Sequence, residues 1–209
     1  GDVYKRQRYN KCEMYEYIRK YMKSESIDKY LPTPFVNIIN GGKHGITDEL
    51  KIQEFMIYTK HDISASKKVQ IVTEIYYNLR SILVMKYGIK AKVIGDEGGF
   101  CPPITSPNEA LYLIEEAIEK SGYVVNTDVF IALDCAANEF YNKSENTYEI
   151  EPNIHLYRDE LISYDGSLIE EHPALKSIED PFHESDYIAW RNFTKQYGDR
   201  SIAESALGA

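Results

Sequence analysis

The chain has 209 residues, 43% of them hydrophobic and 27% charged, with a formal net charge of -9. That length can bury a useful core in one large domain or two small ones. The acidic balance argues against a nucleic-acid duplex or an anionic membrane as partner, because phosphate binding needs clustered Lys and Arg, and no run of about 18 apolar residues offers a transmembrane helix.

The opening GDVYKRQR is polar and joins no apolar pattern. It reads as a cloning scar or sequencing artefact over residues 1–10, outside the fold. Met14, Tyr17, Ile18, Tyr21 and Met22 then recur at helical spacing. KYLPTPFVNIING predicts an extended run between Pro34 and the Gly41-Gly42 pair, and KIQEFMIYT a second strand. After Ser64 a long helix is expected, with Val69, Val72, Tyr76, Leu79 and Leu83 along one stripe and a stop near Gly88. In SPNEALYLIEEAIEKSG, Ser106 is the expected cap and Pro107 fits the first helical position. Glu109 completes a capping box, and Gly122 ends the helix. VFIALDCAANEF reads as a strand ending at Asp134, residues 158–171 as a helix, LKSIEDPF as a short strand, and residues 186–197 as a helix stopped at Gly198. Beyond the first two strands, strands alternate with helices. That order predicts an α/β sheet or barrel of parallel strands.

Cys12, Cys101 and Cys135 have no metal-ligand spacing and are expected as reduced thiols, Cys135 as a buried small hydrophobe. His61, His155, His172 and His183 also lack ligand spacing and are expected to be structural or exposed. His44, in a glycine loop, reads either as a surface residue or as a phosphate or acid–base contact. No phosphate-binding glycine loop of the GxxxxGK[ST] or GxGxxG type is present.

The carboxylates carry the chemistry. Asp134 follows VFIAL, Glu179 and Asp180 follow LKSI, Glu54 lies in KIQEFMI, and Asp96 and Glu97 follow AKVIG. In a parallel barrel the carboxyl ends of the strands share one rim, where residues from several strands converge. Converging carboxylates repel unless a cation or a proton intervenes, and oxygen-only ligands suit Mg²⁺. Acids at strand ends serve equally as caps or solvated ends, and Glu179-Asp180-Pro181 equally reads as a turn.

In order along the chain, LPTPFVNIINGGKHG, IQEFMI, IGDEGGFCP, ALDCAANEFY and SIEDPF closely resemble the enolase family over residues 11–198. The resemblance implies a partial (β/α)8 TIM-like barrel with a ββαα start. Residues 11–30 would be the last helix and linker of an N-terminal domain, and 31–209 the first half of a truncated barrel domain. It implies a cytoplasmic, glycolytic, Mg²⁺-dependent lyase that interconverts 2-phosphoglycerate and phosphoenolpyruvate, homodimeric in its parent form. By motif, Asp134 and Glu179 resemble metal ligands and Glu97 the general acid. His44, Gln53, Glu54 and Glu179 resemble substrate contacts. Gly98 and Gly99 would let the backbone turn so that Glu97 projects over the substrate hydroxyl. Asp96 and Asp180 are expected as hydrogen-bonding neighbours.

Three departures qualify the resemblance. Lys43 and Gly45 flank His44 where many enolases have Ser and Ala. SIAESALGA stands where the family carries an Asp-Asp strand end, and Glu204 is not assigned that ligand role. The family's base Lys and its neighbours fall beyond the last residue. The chain therefore reads as an internal fragment, inactive and poorly folded by itself because an incomplete barrel leaves strand edges unpaired. A different carboxylate-active superfamily member would lack the NGGKHG and GDEGGF loops. A non-catalytic enolase-like binding or structural protein would be free to lose its acids, which are all retained.

Overall fold

The computed structural model describes residues 5, 8–9, 11–22 and 31–200, and the backbone of 202–204. Most of the expected scar, the linker at 23–30 and the closing residues 205–209 lie outside the described residues. The chain divides into two compact units, Gly1–Pro32 and Thr33–Ala209. In the first, helix α1 (Met14–Tyr21) follows the predicted spacing and starts with a capping box in which Glu13 N–H donates to Glu16 Oε2 at 3.2 Å.

The second unit opens with β1 (Val36–Asn40) and β2 (Glu54–Thr59), then α2 (Ala65–Tyr87) and α3 (Pro107–Lys120). Strand β3 (Val129–Asp134) is followed by three short strands, β4 (Tyr141–Asn142), β5 (Thr147–Glu151) and β6 (Ile154–Leu156). Then come α4 (Arg158–Glu171), β7 (Leu175–Glu179), α5 (Tyr187–Tyr197) and β8 (Ile202–Glu204). The main sheet runs β1-β2-β3-β7-β8. β2 is antiparallel to both β1 and β3, while β3, β7 and β8 are parallel. This is a ββαα start followed by parallel strands with intervening helices: an open, partial α/β barrel, as expected.

Strand β3 is buried along nearly its whole length, as a parallel strand between layers should be. Helix α2 begins at Ser64, whose Oγ accepts from Lys67 N–H at 3.3 Å, and ends at Gly88. Its buried face comprises Lys68, Ile71, Val72, Ile75, Leu79, Ile82 and Leu83. That face differs from the expected stripe, since Val69 is 60% exposed. Lys68 takes the core-facing position instead: its aliphatic stem is buried and its Nζ donates to Thr33 Oγ1 at 2.8 Å.

The expected capping box of α3 is not formed. Ser106 Oγ donates to Glu151 Oε1 at 3.4 Å, and Glu109 accepts from the Tyr87 hydroxyl at 2.5 Å. Tertiary partners have outcompeted the local cap. The antiparallel sheet β4-β5-β6 was not predicted, although Thr147–Glu151 buries Tyr148 and Ile150 in alternation. Its strands are two to five residues long and its turns polar, with Asn146 and Asn153 at φ 55° and 64°. His172 is fully buried between α3 and the end of α4, with Nε2 2.5 Å from Asn108 Oδ1 and Nδ1 3.0 Å from Glu115 Oε2. It is a structural histidine. Cys135 is likewise buried, as expected.

Candidate active site at the carboxyl rim

Register assembles the site. Asn40 ending β1 pairs with Glu54, Glu54 with Asp134, and Asp134 with Glu179. Asp134 and Glu179 are the last residues of parallel strands. Glu54 is the first residue of β2, but β2 runs antiparallel, so its beginning lies on the same rim. Residues paired across neighbouring strands project to the same face. Three carboxylates and one amide thus form a single row. The backbone of Glu204 continues it, paired with Glu179; its side chain lies outside the description.

Burial and mutual repulsion set the row's electrostatics. The Asp134 carboxyl is pushed up to about 6, chiefly by burial and then by the Glu54 charge, against an Ala136 N–H donated to its Oδ1 at 3.1 Å. Glu54 is also raised, first by burial. His44 opposes that rise, with Nδ1 3.2 Å from Glu54 Oε1, whereas the charges of Glu97 and Glu179 add to it. Gln53 Nε2 reaches Asp134 Oδ2 at 3.5 Å. Clustered anions of this kind favour a cation or a shared proton.

The loops beyond the row are held by backbone contacts. Gly41 N–H donates to Gln53 O at 3.0 Å, and the 3-10 turn Gly42–His44 follows. Beyond β3, Cys135 N–H donates to Glu179 O and Ala137 N–H to Asp180 O, at 2.9 and 3.0 Å. Ala136 and Asp180 both sit in left-handed backbone, at φ 48° and 45°. Such strain in non-glycine residues tends to collect at functional sites. Lys43 pairs with Glu139 on the turn after β3, tying the His44 loop to it.

Glu97 sits on a hairpin spanning residues 95–99. Gly95 N–H donates to Gly99 O at 2.8 Å, and Gly98 N–H to Gly95 O at 3.2 Å. The two glycines have different reasons. Gly98 adopts φ +85° in open space, so its requirement is conformational. A Cβ on Gly99 would lie 2.3 Å from Asn40 Oδ1, so its requirement is close approach. The Tyr76 hydroxyl donates to Gly98 O at 2.8 Å, and its ring stacks on Phe100. Glu97 and Asp96 are exposed at the tip. Asp96 makes no hydrogen bond with another described residue; its charge adds to the effect of burial in raising the Cys101 thiol.

Gln53, Glu54, Asp134, Glu179 and His44 are therefore gathered at the rim, with Glu97 on the adjoining hairpin within electrostatic reach of Glu54. Asn40 and the Lys43–Glu139 pair were not anticipated. Asn40 closes a strand immediately before two glycines, a position that turn chemistry alone accounts for, so nothing in the sequence singles it out. Among the described residues, no group of three His, Cys, Asp or Glu side chains is gathered closely enough to hold a metal ion. Asp134 and Glu179, both hard-oxygen donors, fit part of a set for a divalent cation. No helix among the described residues is long and apolar enough to cross a membrane.

The family described as "Enolase, C-terminal TIM barrel domain" matches residues 28–203. "Enolase" of Methanocaldococcus jannaschii is 43% identical over 166 residues, covering 79% of this chain and 38% of the relative. "Enolase" of Methanococcus aeolicus is 40% identical with the same coverage, and that of Methanopyrus kandleri is 40% identical over 170 residues, 81% of this chain. The chain spans 38–39% of the length of these relatives.

Proposed function

This chain belongs to the enolase family, and on that premise we propose that it is the opening part of the catalytic barrel of a longer enolase, a glycolytic lyase that interconverts 2-phosphoglycerate and phosphoenolpyruvate. In this reading residues 11–30 close a preceding domain and 31–209 begin the barrel. The register row of Glu54, Asp134 and Glu179, with Glu97 on the adjoining hairpin within electrostatic reach of Glu54, is the observation that carries the proposal.

Removing the proton beside the substrate carboxylate builds a second negative charge on that group, so the reaction is slow unless the charge is neutralised as it develops. Asp134 and Glu179 would hold Mg²⁺, which when bound supplies that neutralisation. Glu97 delivers a proton to the departing hydroxyl so that it leaves as water. His44, Gln53 and Glu54 orient the substrate against the rim. Burial of Glu54 and Asp134 keeps the charge field little screened by water.

The test is turnover by the complete protein that contains this chain, followed as phosphoenolpyruvate formation. Glu97→Gln is expected to lower kcat by about 10²–10⁴, the usual worth of a general acid. Asp134→Asn and Glu179→Gln are expected to weaken Mg²⁺ binding in titration calorimetry. The 209-residue chain alone is expected to show no turnover. A folded complete protein that neither binds nor converts 2-phosphoglycerate refutes the reading.

A further inference from the structure

We propose that Asn40 is a positioning residue for Glu97, an inference that rests on the reading of the rim given above. Asn40 is 2% exposed, and neither Oδ1 nor Nδ2 has a hydrogen-bond partner among the described residues. A buried amide left without partners destabilises the fold, and such groups call for a reason.

Two independent contacts say where this amide acts. Its backbone N–H donates to Phe100 O at 2.8 Å, and its Oδ1 stands where a Cβ on Gly99 would lie 2.3 Å away. The side chain is thus wedged against the base of the hairpin whose tip carries Glu97. In the other direction Asn40 is the register partner of Glu54. It is the neutral member of an otherwise acidic row, and its side chain lies against the hairpin.

The amide couples the hairpin to the rim. Bringing Glu97 over a bound substrate moves the hairpin backbone across the Asn40 side chain, whose free donors and acceptor then take their hydrogen bonds from it. Those bonds set the angle at which the Glu97 carboxyl meets the leaving hydroxyl. Asn40 itself transfers no proton. Its loss should therefore spare removal of the α-proton and impair the step that needs the acid.

The experiment uses the complete protein and two readouts on 2-phosphoglycerate: exchange of its α-proton with solvent deuterium, and formation of phosphoenolpyruvate. For Asn40→Ala, exchange is expected to stay within about 3-fold of wild type. Dehydration should fall about 10- to 100-fold, as a small misplacement of a general acid predicts. Asn40→Asp keeps the shape but loses the amide donors, and is expected to show the same split. Parallel loss of both readouts, loss of neither, or failure of both variants to fold by circular dichroism overturns the proposal. If the wild type shows neither exchange nor dehydration, the functional reading itself fails and the role of Asn40 falls with it; a variant-only result bears on Asn40 alone.

Discussion

Asp165 gives the sharpest prediction about stability. It lies on the inner face of α4, 2% exposed, and its Oδ2 has no hydrogen-bond partner among the described residues. Burial holds its carboxyl well above the usual carboxylate range, and its charge in turn adds to the effect of burial in raising the neighbouring Cys135 thiol. The folded state therefore keeps a proton that the unfolded chain gives up near pH 4. With more protons bound in the folded state, stability is full below the unfolded pKa. It falls as pH rises towards the folded pKa, by about 1.4 kcal/mol per pH unit for one proton. Asp165→Asn removes the titration while keeping the shape, at the cost of a pH-independent offset. Urea denaturation of the complete protein at about pH 4.5, 5.5, 6.5 and 7.5, followed by far-ultraviolet circular dichroism, should give a difference between variant and wild type that grows in favour of the variant as pH rises above the unfolded pKa, at no more than about that slope. Every other titrating group is common to both proteins and cancels. Parallel stability curves would show that Asp165 titrates alike in folded and unfolded chains, and the argument from burial would be wrong.

The hairpin glycines should separate in the same assay. Gly98→Ala is expected to cost about 1–2 kcal/mol for left-handed backbone alone, because nothing stands within 4 Å of its Cβ. Gly99→Ala is expected to cost more, since its Cβ would also meet Ile39 C at 2.9 Å, where the backbone cannot give way. The reverse ranking would contradict the geometry. Lys43→Ala breaks an ion pair with Glu139 whose Lys is largely exposed, so its effect on the urea midpoint should correspond to no more than about 1 kcal/mol and should vanish in high salt. Ser64→Ala should lower the stability of the unit by about 1 kcal/mol by removing the cap of α2; an unchanged melt would show that the cap contributes nothing.

The strand–helix order and the acids of the rim were legible because both depend on local pattern. Asp134 and Glu179 each follow an apolar run, and a parallel strand buried on both faces must end before it can turn. Glu54 was harder to place, since it begins its strand. Only the antiparallel pairing of β2 turns that beginning into a rim position, and strand direction is a property of topology. The errors share a cause. The missing cap at Ser106 and the one misplaced member of the α2 stripe, Val69, were read from residues three and four apart, whereas Val72, Leu79 and Leu83 are buried as expected and Tyr76 packs against the core. Glu151 and Thr33, the partners that displaced those readings, lie 45 and 35 residues away in sequence.

Asn40 exposes the same boundary from the side of function. A lone asparagine before two glycines carries no chemical signature, and turn chemistry accounts for it fully. It becomes informative only once three distant facts coincide: burial, register with Glu54, and the approach of Gly99. The acids could be placed near strand ends by pattern, and the resemblance of their motifs to a family singled them out from ordinary caps and solvated ends. A positioning group is chosen for shape and hydrogen-bonding capacity, and those properties are set by what folds against it. For this rim, the residues that bear charge are visible in the sequence, and the residue that aims one of them is visible only in the packing.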